Sequence, residues 1–121
     1  MRIVVDSIPH KQQRYDTTGD WQFLGDDLVV RISEDPLDSQ RHFYLTAIHE
    51  IIEAILCKAQ GISEQSVDFF DMAHSFCDDP GRLRDAPYHQ QHMFAMEVEL
   101  TMGHLMKRRS DVTTKEPSTT L

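Results

Sequence analysis

The stretch TAIHEIIEAIL, residues 46–56, decides the fold that the sequence predicts. Its apolar side chains recur at the i, i+3, i+4 and i+7 spacing of an amphipathic helix. This spacing predicts one buried stripe, made of Ile48, Ile51, Ile52, Ile55 and Leu56. His49 and Glu53 lie four residues apart and therefore emerge on the same side of the helix, with Glu50 one position round. The rest of the chain is interpreted as built around this helix.

Length and composition favour one compact domain. The chain has 121 residues, of which 40% are apolar. The predicted domain covers residues 1–109, and the Ser-, Thr- and Pro-containing stretch 110–121 is predicted to be a flexible, disordered tail. The chain has 12 basic and 20 acidic side chains. The resulting net charge of −8 argues against nucleic-acid or membrane partners.

Cysteine usage and hydropathy favour a cytoplasmic protein. Only Cys57 and Cys77 occur, and the amino terminus lacks the apolar core of a signal peptide. No apolar run approaches the roughly 20 residues that a membrane-spanning helix needs.

The amino-terminal third predicts a small sheet. Residues 3–5 are a β-branched run, and the apolar runs 21–24 and 28–32 flank a Gly-Asp-Asp turn, as in a β-hairpin. The remainder predicts three helices. Asp38 or Ser39 caps a helix that reaches about residue 60, Ser63 caps one that reaches residue 76, and Asp85 caps one that reaches about residue 108 and packs against both others. The predicted fold class is α+β, with an N-terminal antiparallel hairpin or sheet packed against three helices.

A second set of ligand types lies on the third predicted helix. His89, His92 and Glu99 share one face with Met96, at spacings of three, four and three residues. Two facing helices would then each present a histidine and a carboxylate to one divalent ion, most simply zinc, which needs three or four ligands. The predicted first set is His49, Glu53 and His92. His89 or Glu99 is the fourth ligand or an outer partner.

These residue types suit hydrolytic chemistry. Neutral imidazole is a strong ligand for transition ions, and a carboxylate offsets the charge of the ion. Glu50 would stay uncoordinated, where it can act as the general base that takes a proton from an attacking water. The sequence therefore predicts a metal-binding protein and a candidate metal-dependent hydrolase, acting on a peptide or small molecule of unknown identity. The same ligands also suit a purely structural metal site.

A hairpin, an H-E-x-x-E helix and a later ligand-bearing helix together resemble a reduced zincin-type metallopeptidase. They are also similar to small uncharacterised zincin-like proteins of bacteriophages, and a phage-encoded chain would act in the host cytoplasm. The similarity covers about residues 28–99, with five motif-like residues. It implies that His49 is a ligand, Glu50 is the base, and Glu53 is a ligand where zincins usually have histidine. No spacing of the family assigns the third ligand.

Three other interpretations stay open at this level. His49 and Glu53 can form a simple surface pair, with the later histidines solvated. The acidic residues can instead hold magnesium in a helical nucleotide pyrophosphohydrolase, through Glu50 and Glu53 together with Asp68, Asp71 or Glu97 and Glu99. The third alternative is a non-enzymatic acidic phage-type protein that binds or inhibits a host protein by imitating phosphates.

Overall fold

The computed structural model describes residues 1–34 and 39–107 and has the predicted α+β architecture. The elements are β1 (Ile3–Ile8), β2 (Gly19–Leu24), β3 (Asp27–Ser33), α1 (Gln40–Ala59), α2 (Glu64–Ala73) and α3 (His89–Leu105). Two short 3-10 helices, His10–Gln12 and Pro80–Arg82, lie in the connections. The predicted flexible tail, residues 110–121, lies outside the described residues, as does Asp38.

The three strands form one sheet in the order β1-β3-β2. The predicted hairpin is confirmed: β2 and β3 are antiparallel, with Trp21 opposite Val30, and Gly25 takes the positive φ of 61° that its turn requires. The first strand differs from the prediction of an antiparallel sheet. β1 runs parallel to β3, so the sheet is mixed, and β2 belongs to the connection that returns the chain to the same direction.

The core forms where α1 lies on one face of the sheet. Leu28, Val30 and Ile32 alternate along β3 and are at most 1% exposed, because β3 is the central strand. Small residues of α1 pack in the same cluster, among them Ala54 and Cys57, which are fully buried. Their size allows the helix to approach the sheet closely.

The predicted helix α1 is confirmed, but its predicted buried stripe is only partly buried. Ser39 caps the helix by accepting a hydrogen bond from the His42 N–H at 3.1 Å. Ile55 is 46% exposed, whereas His49 and Glu53 are buried. Small side chains of α1 and Ile51 pack in the core cluster with the sheet, and the His49 side of α1 faces α3.

The other two helices start or end at different residues from those predicted. Ser63 caps α2 as predicted, but α2 ends at Ala73 rather than at residue 76. Helix α3 begins at His89 and is not capped by Asp85, because residues 83–88 form successive turns. It packs mainly along α1 rather than against both other helices. None of the helices in the described residues is long and apolar enough to cross a lipid bilayer.

Candidate metal centre

Three side chains converge where α1 and α3 cross. His49 and Glu53 extend from successive turns of α1, and His92 extends from the first turn of α3. His49 Nε2 lies 3.2 Å from Glu53 Oε1 and 3.2 Å from His92 Nδ1, and His92 Nδ1 lies 2.8 Å from Glu53 Oε1. All three residues are buried, and the group has the residue types and spacing to hold a metal ion.

The spacing of the three atoms is close to that of tetrahedral coordination. Ligands at about 2.1 Å from a tetrahedral ion lie about 3.4 Å from one another. The observed separations of 2.8 to 3.2 Å would need to widen by only a few tenths of an ångström. Without a cation, three electron-pair donors aimed at one point repel unless protons lie between them. The residues therefore fit a divalent ion with N and O ligands.

Glu53 is oriented by the sheet. The indole N–H of Trp21, on β2, donates a hydrogen bond of 3.0 Å to Glu53 Oε2. Trp21 is 5% exposed, so this donor is fixed in the core. Since Oε2 already has a partner, Oε1 is the oxygen that faces the two imidazoles.

His49 is oriented by the far end of α3. Its Nδ1 lies 2.9 Å from Glu99 Oε1, and because a carboxylate only accepts, the proton of this contact lies on Nδ1. Nε2 is then the nitrogen that faces Glu53 and His92, and it can offer a lone pair to an ion that displaces its proton. The structure thus places Glu99 behind His49 rather than in the group of ligand atoms. Such an outer carboxylate fixes the tautomer of a metal-binding histidine.

His92 is held by the 3-10 helix Pro80–Arg82 and the residue before it. Asp79 Oδ1 lies 2.9 Å from His92 Nε2, an ionic contact that is not aligned as a hydrogen bond. Gly81 lies against the ring: a Cβ added there would stand 2.5 Å from His92 Cγ. Because only a hydrogen fits at this position, Gly81 sets the plane of the His92 ring.

The cluster strongly perturbs its own titration. Burial lowers the pKa of His49, but hydrogen bonds to Glu53 and Glu99 raise it to about 10. Burial likewise lowers the pKa of His92, and contacts with Asp79 and Glu53 raise it to about 9. For Glu53, burial raises the pKa, but bonds from both imidazoles lower it to about 2. Without a metal, these contacts therefore favour an ionised Glu53 and protonation of the imidazoles that face it.

Glu50 lies beside the group but is not part of it. Its side chain makes no hydrogen bond within the described residues. Burial and the nearby charge of Glu53 raise its pKa well above that of an exposed glutamate. A Cβ at Gly19 would stand 2.9 Å from Glu50 Cγ, so Gly19 provides the space that this side chain occupies.

The centre opens into a cleft of about 610 Å³, within the range of small-molecule sites. The cleft is lined by the three ligand residues and by two nearby glutamates: His49, Glu53, His92, Glu50 and Glu99. On its other side the hydroxyls of Tyr15 and Tyr88 donate hydrogen bonds to Asp71. Burial raises the pKa of Asp71, the tyrosine hydroxyls lower it, and the net result is about 6.

The structure separates the remaining predicted ligands from the centre. His89 Nδ1 lies 2.9 Å from the carbonyl oxygen of Gly81, and His89 is not in the group around Glu53. Asp68 of α2 is bound by Arg14 at 2.9 Å. Among the described residues the ligand group has three members, one fewer than a tetrahedral ion takes.

Sequence reasoning missed four residues that build the site: Trp21, Asp79, Gly19 and Gly81. Asp79 and Gly81 belong to an Asp-Asp-Pro-Gly stretch that indicates a turn, and Trp21 is a typical strand residue. Their roles depend on which part of the fold lies next to His92 and Glu53, and no local pattern carries that information. In comparisons with protein-family models, curated proteins and solved structures, none matches this chain.

Proposed function

We propose that this protein is a metal-dependent hydrolase whose ion, most simply zinc, is held by His49, Glu53 and His92. The observation that carries the proposal is the convergence of three buried ligand atoms at the wall of a cleft. Two imidazoles and one carboxylate are a donor set of catalytic zinc sites, which keep a fourth position open. Here the carboxylate takes the second position of the helical motif, and the later helix supplies the second imidazole.

The chain offers a general base in a suitable position. When bound, the cation polarises a carbonyl group and acidifies water. Glu50 follows a ligand directly in sequence, lines the same cleft and is not engaged by another side chain of the described residues. A nearby cation would favour the ionised form of Glu50 over the neutral acid that burial favours. In amide hydrolysis the carboxylate would accept a proton from water as the water oxygen bonds to the carbonyl carbon. The C–N bond then breaks, and the same proton passes to the leaving amine.

The two other functions considered from the sequence have less support. Two of the three converging donors are nitrogens, whereas magnesium prefers oxygen. The carboxylates near the centre line a concave cleft, whereas a phosphate mimic needs an outward-facing row. We therefore favour a hydrolase of the zincin type, the family that the motif resembles.

Elemental analysis of the untagged full chain tests the metal site. We expect about one zinc per chain in the wild type and in the matched control His89→Ala, and loss of zinc in His49→Ala and His92→Ala. Equal zinc content in all four proteins would overturn the assignment of ligands.

Glu50→Gln tests the catalytic role. We expect this variant to keep its zinc and to lose about a hundredfold or more of the hydrolysis of a peptide library. If wild-type zinc protein cleaves nothing, or if Glu50→Gln cleaves equally well, the hydrolase proposal fails and a structural ion remains.

A further inference from the structure

The cleft around the metal centre is rich in acidic side chains, and its basic side chains are all histidines. Nine of its lining residues are aspartate or glutamate, and none is lysine or arginine. Three buried ligand atoms converge at the wall of this cleft. They indicate a binding site on grounds that do not depend on the charge of the lining. The charge of the remaining lining then decides which ligands can enter.

Arginines behind the wall compensate only part of this charge. Arg14 binds Asp20 and Asp68 at 2.8 and 2.9 Å, and Arg82 binds Asp79 at 3.1 Å. Asp71 accepts hydrogen bonds from two neutral tyrosine hydroxyls, which add no charge. Asp78 has no ion pair among the described residues. A divalent ion that displaces the protons of both histidines leaves the net charge nearly unchanged, so the carboxylates that lack an arginine stay in excess.

We propose that the cleft selects ligands that carry an ammonium or guanidinium group beside the bond that reaches the metal centre. This inference rests on the proposed function and names its substrate class. An amide flanked by lysine or arginine fits, as does an acylated polyamine. Both present fixed positive charge to a partly desolvated acidic wall, where Coulomb attraction is several times stronger than in bulk water. Phosphate-bearing and acidic ligands would be repelled by the same wall.

Binding of chelating probes to the zinc-loaded full chain tests the proposal without relying on turnover. The probes are N-acetylated dipeptide hydroxamates that differ only in a lysine, alanine or glutamate side chain, titrated by calorimetry. We expect affinity to fall from lysine to alanine to glutamate, with at least a tenfold difference between the ends. This difference should shrink at high salt. Equal affinities, or tighter binding of the glutamate probe, would overturn the proposal.

A matched pair of variants locates the charge. Asp78→Asn removes one lining carboxylate that is outside the catalytic and ligand groups, and should reduce the preference for lysine about threefold or more. Asp26→Asn makes the same change in net charge at the hairpin turn, where the side chain is 94% exposed, and should leave the preference unchanged. Equal effects of the two variants would show a general effect of net charge and contradict selection by the cleft.

Two further arms separate the outcomes. Acetylspermidine as competitor distinguishes a polyamine from a peptide, and displacement by either cationic class supports the proposal.

If zinc does not bind, the proposed function fails on its own. The same three dipeptides, as simple amides, are then titrated into the metal-free chain, which keeps the same lining carboxylates. Preference for lysine there would still support a cation-selective cleft, and its absence would overturn it.

Discussion

Glu99 Oε1 and Nδ1 of His49 lie 2.9 Å apart, on the side of the imidazole ring opposite the one that faces Glu53 and His92. This contact joins α3 to α1 a second time, two turns beyond His92. It also settles which nitrogen of His49 carries a proton. The ligand atom is therefore prepared by a residue that does not itself belong to the ligand group.

Removing the charge of Glu99 should weaken metal binding without abolishing it. In Glu99→Gln a neutral amide replaces the acceptor of the His49 proton, so we expect zinc affinity to fall about ten- to a hundredfold. Competition with a chromophoric chelator measures this affinity. The matched control is Glu97→Gln, an exposed position on the same helix, which should bind as wild type. Equal affinity of the two variants would contradict the role assigned to Glu99.

The indole of Trp21 should matter through its N–H as well as through its packing. Trp21→Phe keeps an aromatic ring in the core but leaves Glu53 Oε2 without its donor. An unsatisfied buried acceptor costs about 1 to 3 kcal/mol. We expect a corresponding loss of unfolding free energy in urea and about tenfold weaker zinc binding. Phe23→Leu changes an aromatic residue of the same strand, and its zinc affinity should not change. A Trp21→Phe protein with native affinity would show that Glu53 is held by other contacts.

Two glycines should give opposite phenotypes. Neither has a positive φ, so an alanine Cβ acts only by contact. In Gly81→Ala the Cβ meets the His92 ring at 2.5 Å, and we expect at least a tenfold loss of zinc affinity. In Gly19→Ala it meets Glu50 at 2.9 Å, and we expect zinc affinity within about threefold of wild type but much slower hydrolysis. Circular dichroism verifies folding. Reversed phenotypes would contradict the placement of ligand and base.

The stability of the metal-free protein should be greatest in mildly acidic solution. The pKa values of His49 and His92 are raised from 6.5 to about 10 and about 9. Their contribution to the free energy of unfolding is therefore complete below pH 6.5 and is lost as the pH rises toward 9 to 10. The pKa of Glu53 is lowered from 4.5 to about 2, so its contribution is complete above pH 4.5 and is lost toward pH 2. Together these shifts give a maximum between about pH 4.5 and 6.5.

Metal binding should show the opposite trend with pH. An ion must displace the protons of both histidines. Its affinity for the protein therefore increases by up to about a hundredfold per pH unit. Thermal unfolding with zinc and with EDTA, from pH 5 to 8, measures the stabilisation by zinc, which should grow with pH. The double variant His49→Gln/His92→Gln should show no such growth. Equal stabilisation of the wild type at pH 5.5 and pH 8 would count against displaced histidine protons.

The helical spacing in the sequence was sufficient to predict most of the ligand group. His49 and Glu53 share a face because they are four residues apart, and His92 was in the first predicted set. Spacing could not distinguish a ligand from its outer partner. Glu99 and His89 are in phase with His92, yet Glu99 meets the far side of His49 and His89 turns to a backbone carbonyl. That difference depends on where α1 and α3 cross, which is a property of tertiary packing.

The fold shows the same division between local and tertiary information. The hairpin turn at Gly25 and the cap at Ser39 follow from local chemistry and were predicted. The parallel pairing of β1 with β3 and the burial of His49 instead of Ile55 were not. An apolar spacing predicts which residues share a face, but α1 is apolar on several sides. Small residues, which carry little hydrophobic signal, decide which side lies closest to the sheet.

The ligand atoms of His49 and His92 are 43 positions apart in the chain. A cation coordinated by both would act as a crosslink across that segment, and closing a loop of this length by a covalent link removes unfolded-state entropy worth about 4 kcal/mol. Cys57 and Cys77, both inside the segment, are free thiols. The centre that we propose for catalysis would thus also crosslink the middle of the molecule. Chelation would remove this crosslink, so supply of the ion would affect the resistance of the chain to proteolysis as well as its turnover of substrate.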